Sequence, residues 1–432
     1  MVSWGNLVAD ETPIESASVN LDLALEAYPQ WVERLNQPEL KRAFLMNCSS
    51  SIPFYRNLLD GSVRDLERFP IVDRADHDVS YSEFTSNTFN DPRSDQLSIY
   101  TNGSLGPSLC VSWDLPSMFD LNHASYLRFS KVLPGLFTSV IPGEPSVFVI
   151  SDMPSDLRTS IVMPGLDGTI LRRLILGRDE STDAALVEYL RHARIALLHG
   201  KPSVLLNLVE LDSRHGGDGR IAPANIVCSG ENLYADDRAR IEAWLGCAII
   251  NAYVTSEAGL VAFECEKRSG MHVLTDHLTV EVVASDGTVR STGTGELLIT
   301  NALNWRHAFV RYRIGDRATV MAGACGCGHD GQTIVDLPGH EREAYHSGKI
   351  SIPAADIATV IEASRPPVKQ YQIAYADDQR LIISWIPEPS ADPHSTSRAL
   401  AARLRERFPA TTFELCRVTA INTPGGKLRR FL

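Results

Sequence analysis

Four short segments of the chain combine glycine, hydroxyl and charged side chains in patterns that suit phosphate and nucleotide chemistry. They are TNGSLGPS at 101–108, NAYVTSE at 251–257, RYRIGD at 311–316 and PGGKLRR at 424–430. A glycine-bearing loop can turn backbone N–H groups toward phosphate oxygens, and a carboxylate beside a hydroxyl can hold magnesium and a phosphate. An aspartate at a strand end can accept both hydroxyls of a ribose, and a lysine on a mobile loop can neutralise charge in a closed site.

Each of the four segments also has a simpler structural interpretation. The first fits an ordinary surface turn, and the second fits a helix N-cap in which Thr255 or Ser256 precedes Glu257 in the first helical turn. The third fits a hairpin turn with a surface ion pair, and the fourth fits a basic solvated tail. Taken singly, the segments leave both interpretations open.

Cysteine and histidine side chains form a second candidate site. Cys325 and Cys327 flank a glycine, and Cys265 and His272 lie in the separate segment ECEKRSGMH. Three cysteines and a histidine are a four-ligand set suited to tetrahedral Zn²⁺, and a full protein ligand set leaves no open position for catalysis. We therefore predict a structural zinc that ties an antiparallel region to the main sheet. Reduced cysteines in a glycine-rich turn are the alternative.

The hydrophobic pattern predicts a fold that brings strand ends together. Short β-branched apolar runs alternate with helix-like stretches from about residue 145, which is typical of α/β units on a largely parallel sheet. The predicted strands are 146–151, 195–200, 224–230 and 248–253, and the predicted crossover helices are DAALVEYLRHA and DDRARIEAWLG. Ligands of such sheets bind beyond the carboxyl ends of the strands, where the NAYVTSE segment begins.

The pattern changes after Leu274. The alternating segments LTVEVVA, GELLIT and FVRYRIG, separated by Asp-Gly and Gly-Thr-Gly turns, predict an antiparallel subdomain near 272–317 that forms a different layer. The Pro- and Ser-rich stretch 387–397 predicts a loop before a last helix. We expect a large multilayer α/β N-terminal domain at 1–317, a small mobile α+β C-terminal domain at 318–432, and a hinge near 316–348.

Composition and charge exclude several classes of protein. The chain has 432 residues, 44% of them hydrophobic and 22% charged, as expected of a folded protein of two or more domains. Its 53 acidic residues against 41 basic ones argue against a nucleic-acid or anionic-membrane partner. The N-terminus lacks a secretory signal pattern, and the most apolar region, 133–150, is interrupted by proline and glutamate. We predict a soluble, cytoplasmic protein with reduced cysteines.

In this order, the four segments resemble the phenylacetate-CoA ligase branch of the adenylate-forming superfamily. The resemblance runs nearly end to end and includes the flanking segments SIPFYRNLLDG, RFPIVDRADHD, HGKPSVLLNL, SGENL and VAFECEKRSGMHVLTD. It implies an ATP- and Mg²⁺-dependent enzyme that converts a carboxylic acid into an acyl-adenylate and releases pyrophosphate. Transfer of the acyl group to a thiol would follow, which is the activity of an acid-thiol ligase.

The resemblance also implies roles for individual residues. The residues implied to bind the nucleotide are Thr101, Gly103, Ser104 and Gly106 in the phosphate loop, Gly230, Glu231 and Tyr253 at the adenine, Ser256 at the phosphate, Arg313 close to the nucleotide, and Asp316 at the ribose hydroxyls. The implied catalytic residues are Glu257, which would hold Mg²⁺, and Lys427, which would assist adenylation.

Two regions depart from the family pattern. In and near the nucleotide segments, Leu105 replaces a threonine, Asn102 replaces a serine, Val254 replaces a glycine, and the closing lysine of the phosphate loop is missing. In the hinge segment, His340 stands where the family has arginine, and Glu343 is the nearest hinge candidate. The first set bears on phosphate binding, and the second on the step that forms the thioester.

Family analogy predicts an aromatic or heteroaromatic acid as the substrate, in the biosynthesis of a specialised metabolite. The acceptor is predicted to be CoA or the phosphopantetheine arm of an acyl carrier protein. Two alternatives stay open: an adenylating amide synthetase with an amine acceptor, and a degenerate nucleotide-binding homologue without turnover. A homodimer is also left open.

Overall fold

A computed structural model describes residues 39–79, 81–86, 96–100, 109–114, 139–151, 160–163, 169–176, 180–215, 220–340, 344–347, 350–353, 357, 360–361, 368–375, 380–387, 391–409 and 411–421. Contacts divide the chain into two compact units. The first is assigned Met1–Leu233, Asp237–Ile314 and Ala318–Asp336, and the second Tyr234–Asp236, Gly315–Arg317 and Leu337–Leu432. The domain boundary after residue 317 and the hinge stay predictions.

Helices and strands alternate along the first unit, and strands dominate its second half. The helices with defined bounds are α1 (Leu40–Ser51), α2 (Pro53–Leu58), α3 (Arg74–Val79), α4 (Glu180–His192), α5 (Pro202–Arg214), α6 (Ala235–Leu245) and α7 (Pro393–Arg407). The strands are β1 (Gln96–Tyr100), β2 (Cys110–Asp114), β3 (Pro145–Ser151), β4 (Ser160–Met163), β5 (Thr169–Ile175), β6 (Leu197–Gly200), β7 (Ile226–Ser229), β8 (Ile249–Thr255), β9 (Gly259–Glu264), β10 (Met271–Val273), β11 (Leu278–Val283), β12 (Val289–Arg290), β13 (Gly293–Asn301), β14 (Tyr312–Ala324), β15 (Asp330–His340), β16 (Ala344–Ser347), β17 (Ile350–Pro353), β18 (Val368–Tyr375), β19 (Leu381–Pro387) and β20 (Phe413–Arg417).

One 13-stranded sheet organises the first unit, in the order β12-β11-β13-β14-β15-β10-β9-β8-β7-β6-β3-β5-β4. Its central strands β8, β7, β6, β3 and β5 are parallel to one another. The four predicted strands and both predicted crossover helices are present, with small shifts at their ends. Val187 of α4 and Leu205 of α5 share one buried cluster with Phe148 of β3, so the apolar faces of the helices cover the parallel part of the sheet.

The strands predicted after Leu274 are antiparallel as predicted, but they do not form a different layer. β11 pairs antiparallel with β12 and β13, and the strand order joins this group to β9 through β14, β15 and β10. The physical reason is the hairpin after β8, because β9 returns along β8 and extends the same hydrogen-bonded edge. The predicted Asp-Gly turn is confirmed, since Asp286 Oδ1 accepts the Thr288 N–H at 3.0 Å and Gly287 has a φ of 79°.

β1 and β2 form a separate antiparallel pair near the start of the described chain. Trp113 of β2 is fully buried in a cluster that also contains Phe44 of α1, Tyr55 of α2 and Phe309. The cluster therefore joins the N-terminal helices to the segment between β13 and β14.

Arg311 ties this N-terminal region to the sheet. Its Nε and Nη2 donate to the two carboxylate oxygens of Glu281 on β11 at 3.1 and 3.3 Å, and its Nη1 donates to the Phe69 carbonyl oxygen at 3.1 Å. The Arg311 backbone has a φ of 48°, which is uncommon for a residue with a side chain. The fork of charged hydrogen bonds holds that conformation.

The second unit contains a three-stranded sheet and one long helix. β19 runs antiparallel to β18 and parallel to β20, and Leu400 and Leu404 of α7 pack against the buried Trp385 of β19. The predicted loop 387–397 is shorter than expected, because Asp392 caps α7 by accepting the Ser395 N–H at 3.0 Å and Pro393 starts the helix. The predicted combination of a large α/β part with a small α+β part is confirmed.

Among the described residues, no helix has both the length and the apolar character needed to span a membrane.

Candidate functional site

The NAYVTSE segment lies at the hairpin that joins β8 to β9. β8 continues to Thr255, residues 256–258 form the turn, and β9 begins at Gly259. Gly259 has a φ of 67°, the conformation that a three-residue hairpin loop requires at its end. The helix N-cap interpretation is therefore wrong. The strand register shifts between Tyr253 and Val254, because their partners on β9 are Ala262 and Leu260 and Val261 is the extra residue between them.

Three hydrogen bonds hold the backbone of this turn. Trp113 Nε1 donates to the Ser256 carbonyl oxygen at 3.2 Å, and Asn301 Nδ2 donates to the Glu257 carbonyl oxygen at 3.1 Å. Within the turn, the Ala258 N–H donates to Thr255 Oγ1 at 3.1 Å. Sequence reasoning missed Trp113, Asn301 and Gly259, and among these three only the glycine carries a local signal, because it lies two residues after the segment.

Two consecutive residues of the turn carry oxygen-bearing side chains. Ser256 and Glu257 are both partly exposed, and a hydroxyl next to a carboxylate is the kind of oxygen set that Mg²⁺ takes from a protein. Burial, and then the negative charge of Glu257, raises the pKa of the Tyr312 phenol on β14. Tyr312 therefore stays a neutral neighbour of the Glu257 carboxylate.

Gly230 and Glu231 follow β7 at the same edge of the sheet as this hairpin. Ser229 of β7 is paired in parallel with Ala252 of β8, so Gly230 and Tyr253 are the next residues along two adjacent strands. Gly230 has a φ of 83°, which requires glycine in this tight turn. The structure thus brings two of the predicted adenine-side segments together at the carboxyl ends of the parallel strands, as expected for this sheet type.

The side chains around Gly230 are already engaged within the protein. Glu231 Oε2 accepts the Ser203 N–H at 3.2 Å, which stabilises the N-terminus of α5. His199 Nε2 lies 2.7 Å from Ser229 Oγ, and burial, followed by the nearby Arg173, lowers the pKa of His199 to about 4. His199, which the sequence pattern assigned no role, is therefore a neutral partner that fixes the residue before Gly230.

Arg313 and Asp316 both lie in β14. This strand runs without a turn from Tyr312 to Ala324, so the hairpin-turn interpretation of RYRIGD is wrong. The ion-pair part of that interpretation is present, because Arg313 Nη1 contacts Glu296 Oε2 of β13. Gly315, directly before Asp316, has a φ of 89°, which only glycine adopts readily.

Five predicted site residues lie outside the described residues. They are Thr101, Gly103, Ser104 and Gly106 of the phosphate loop and Lys427 near the C-terminus. The hinge candidate Glu343 also lies outside them. On either side of the phosphate-loop segment, Tyr100 of β1 and Cys110 of β2 are paired partners.

The four predicted zinc ligands converge at one point. One ligand atom from each of Cys265, His272, Cys325 and Cys327 lies within 4.8 Å of the other three. The Cys265 and Cys325 sulfurs are 3.8 Å apart, and Cys327 Sγ is 3.3 Å from His272 Nε2. Tetrahedral Zn²⁺ with bonds of about 2.3 Å to sulfur and about 2.0 Å to nitrogen separates two sulfurs by about 3.8 Å and a sulfur and a nitrogen by about 3.5 Å. The arrangement therefore has the dimensions of a zinc site.

Sheet topology explains how distant segments form this cluster. β10 lies between β9 and β15, so His272 is paired with Phe263 on one side and with Thr333 on the other. His272 Nδ1 also lies 3.1 Å from Thr333 Oγ1, which is the partner expected for the second ring nitrogen of a metal-bound histidine. Gly270 allows the close approach, because a Cβ there would lie 2.6 Å from Thr333 Cγ2. Thr333 and Gly270 were not identified from the sequence.

The thiols of the cluster differ in their acidity. The Cys327 backbone N–H, followed by the Ser269 hydroxyl, lowers the pKa of Cys325 to about 7. Burial raises the pKa of Cys265 to about 11. All eight cysteines of the chain are free thiols, and the 3.8 Å between Cys265 and Cys325 is far beyond a disulfide bond. The sulfurs are thus available as ligands.

Comparison with known proteins shows what this chain is similar to in structure. No protein-family model and no curated protein sequence matches it. It is similar to 2-hydroxyisobutyryl-CoA ligase in the postadenylation state, with a TM-score of 0.69 and 15% identity over 100% of this chain and 95% of that one. It is also similar to an anthranilate CoA ligase in complex with anthranoyl-AMP (TM-score 0.53, 16% identity, 78% and 65% of the two chains). A third similar structure is the amide bond synthetase McbA from Marinactinospora thermotolerans (TM-score 0.52, 15% identity, 76% and 66%). At these identities the similarity shows a shared fold.

Proposed function

We propose that this chain, which has the fold of the adenylate-forming enzymes, uses ATP and Mg²⁺ to activate a small carboxylic acid as its acyl-adenylate. The observation that carries the proposal is the shared sheet edge at β7 and β8. There, Gly230 and Glu231 follow β7, Tyr253 lies near the end of β8, and Ser256 and Glu257 follow β8. This is the edge at which open α/β sheets bind ligands.

The chemistry follows from charge. A carboxylate that attacks the α-phosphate of ATP must overcome the repulsion between two anions. Bound Mg²⁺ supplies positive charge to the phosphates. Glu257 would hold it, and Ser256 would lie at the phosphate. Tyr253 would pack beside the adenine, and Arg313 with Asp316 would contact the nucleotide and its ribose. Lys427 would neutralise charge between the acid and the phosphate as they react.

Glu231 would act differently from a direct ligand. Its carboxylate accepts the Ser203 N–H at 3.2 Å. The carboxylate therefore holds the turn after β7 in place. Gly230, at a φ of 83°, has no Cβ to block a flat base. We therefore propose that the backbone at Gly230 and Glu231 lines the adenine, with the Glu231 side chain keeping that backbone in place.

The second half of the reaction would transfer the acyl group to a thiol of CoA or of a carrier protein. An aromatic or heteroaromatic acid is the proposed substrate, in keeping with the phenylacetate-CoA ligase branch and with the likeness to an anthranilate CoA ligase. The likeness to an amide bond synthetase keeps an amine acceptor as the second candidate. A cytoplasmic location suits eight free thiols.

Acid-dependent exchange of pyrophosphate into ATP tests the first half-reaction. Aryl, heteroaryl and aliphatic acids are compared, and the variant is Glu257→Gln, which keeps the side-chain volume and removes the charge. We expect the exchange rate to fall by about 100-fold or more, as for loss of one positioned charge. Glu188→Gln, at an exposed glutamate of α4, is the matched control. Equal rates in the two variants would show that Glu257 has no role at the nucleotide.

A second experiment separates the candidate functions. The adenylate is formed from the best acid, and the acyl group is followed with CoA, carrier protein or amines as acceptor. A thioester supports the ligase, and an amide supports the amide synthetase. Nucleotide binding without exchange for any acid would identify a protein that has lost turnover.

We further propose that Cys265, His272, Cys325 and Cys327 hold a structural zinc. The distances between their ligand atoms and the Thr333 partner of His272 support it. Elemental analysis should find about one zinc per chain, since four protein ligands close the site. Cys327→Ser should lose the metal and lower the melting temperature, whereas Cys416→Ser, at a cysteine of β20 outside the cluster, should keep it. The assignment would be refuted if wild-type protein without zinc had the same melting temperature as wild-type protein supplied with zinc.

A further inference from the structure

We propose that Trp113 is a positioning residue for Glu257, acting through the hydrogen bond from its indole N–H to the Ser256 carbonyl oxygen. The inference rests on the proposed adenylating function of the β8–β9 turn. Trp113 comes from β2, in the small sheet formed by β1 and β2, whereas Ser256 lies in the turn of the large sheet. The hydrogen bond of 3.2 Å therefore joins two separate sheets at the residue before the predicted magnesium ligand.

The turn depends on donors from outside its own hairpin. Its carbonyl oxygens at Ser256 and Glu257 accept from Trp113 and Asn301, which are both completely buried. Asn301 has one orientation only, because its Oδ1 accepts the Leu303 N–H at 3.0 Å and its Nδ2 is then left for Glu257. Two rigid donors thus fix consecutive peptide planes, and those planes set the direction in which the Glu257 side chain leaves the backbone.

Trp113 is itself held on its N-terminal side. The carbonyl oxygen of the preceding residue, Ser112, accepts Asn304 Nδ2 at 3.0 Å, and the Ser112 N–H donates to His307 Nδ1 at 3.5 Å. Asn304 Oδ1 in turn accepts the His307 N–H at 3.0 Å. Both backbone groups of Ser112 are therefore bound by the segment that follows β13, so the backbone that carries Trp113 is held in place.

A buried histidine pair closes the network. Because His307 Nδ1 accepts from Ser112, its proton lies on Nε2, which can donate to His77 Nδ1 at 2.9 Å. The His77 ring stacks between Phe84 and Phe309, with centroid distances of 3.9 and 4.8 Å. The chain of contacts runs from an aromatic cluster through Ser112 to the indole, and ends at the turn.

The test replaces the indole N–H and measures the magnesium requirement. Trp113→Phe removes the donor, and 3-benzothienylalanine at position 113 keeps the bicyclic shape while replacing N–H by sulfur. A neutral hydrogen bond of this kind changes an equilibrium by roughly fivefold. We expect the Mg²⁺ concentration for half-maximal acid-dependent pyrophosphate exchange to rise by about that factor in both variants, and amide exchange of peptide 253–260 to accelerate.

Two matched controls separate positioning from a general loss of stability. Trp385→Phe removes a fully buried indole of the second unit whose N–H has no partner among the described residues. Trp244→Phe removes an indole that donates to Asp212 Oδ2 at 2.7 Å, away from the turn. Both controls should keep the wild-type magnesium requirement, even where they lower the melting temperature.

The outcomes distinguish this inference from the proposed function. If wild-type protein exchanges pyrophosphate and the position-113 variants match the two controls, Trp113 is not a positioning residue and adenylation stands. If no acid supports exchange in wild-type protein, the proposed function fails. In that case the amide exchange of peptide 253–260 still tests Trp113. If the benzothienyl variant and the wild type exchange at the same rate, Trp113 does not stabilise the turn.

Discussion

Lowering the pH should destabilise the first unit, because the buried pair His77 and His307 is held neutral in the fold. Both side chains are completely buried. Burial, followed by the proximity of His307, lowers the pKa of His77 to about 2. Burial, followed by Arg306, lowers the pKa of His307 to about 3. The unfolded chain has no such environment, so each imidazole there takes up a proton near pH 6.5.

The sign of the effect follows from which state binds more protons. Between pH 6.5 and about 3, the unfolded state is protonated at both histidines and the folded state at neither, so stability is full above pH 6.5 and falls as the pH decreases. From pH 7 to 5.5, each histidine removes about 1.3 kcal/mol from the free energy of unfolding, and the pair removes about 2.5 kcal/mol. These losses are set by the pKa of 6.5 in the unfolded chain. They hardly change with the pKa values of the folded protein, as long as those values lie well below 5.5.

Chemical denaturation at the two pH values measures this loss. The variant is His77→Phe, which keeps a ring in the stack between Phe84 and Phe309 and removes one titrating group. Its stability should be lower at both pH values, because the buried His307 loses its partner, but the decrease from pH 7 to 5.5 should be smaller than in wild type by about 1.3 kcal/mol. His192→Asn, at an exposed position, is the control. The reasoning is refuted if His77→Phe and wild type lose the same free energy over this interval.

Three further predictions concern other parts of the chain. Lys427→Ala should slow acid-dependent pyrophosphate exchange by about 100- to 1,000-fold, and an unaltered rate would remove Lys427 from the mechanism. Arg311→Ala should lower the free energy of unfolding by about 3 to 5 kcal/mol because it leaves Glu281, whose side chain is only 12% exposed, without its charge partner, and Arg311→Lys, which keeps the charge but lacks the fork, should recover only part of it. Gly270→Ala should reduce zinc content on elemental analysis, since its Cβ would lie 2.6 Å from Thr333 Cγ2, and a variant with full zinc would show that this approach can relax.

The parallel half of the sheet was predictable because its strands and helices carry local signals. The runs at 146–151 and 248–253 are short, apolar and bounded by polar residues, and the helix 183–193 repeats its apolar positions every three to four residues. The layer assignment of the strands after Leu274 failed for a physical reason. An alternating pattern reports that one face of a strand is buried, but it does not report which edge the strand pairs with.

The predicted zinc ligands depend partly on the sequence and partly on the strand pairing. Residue types and the close spacing within two segments predicted the set Cys265, His272, Cys325 and Cys327, because three thiols and an imidazole suit tetrahedral zinc. Their convergence depends on β10 pairing with both β9 and β15, which no local pattern encodes. Thr333 was missed for the same reason, since it becomes the partner of His272 only through that pairing.

By itself, the sequence determined the types of group that the candidate site contains, and it placed Ser256 and Glu257 directly after a buried strand. Only the tertiary structure decided that they lie on a hairpin turn rather than at a helix N-terminus, and that Trp113 and Asn301 hold that turn. The physical reason is range. Side-chain chemistry and strand propensity act within a few residues, whereas the donors to this turn come from 143 and 44 residues away and are brought there by burial of the cores that carry them.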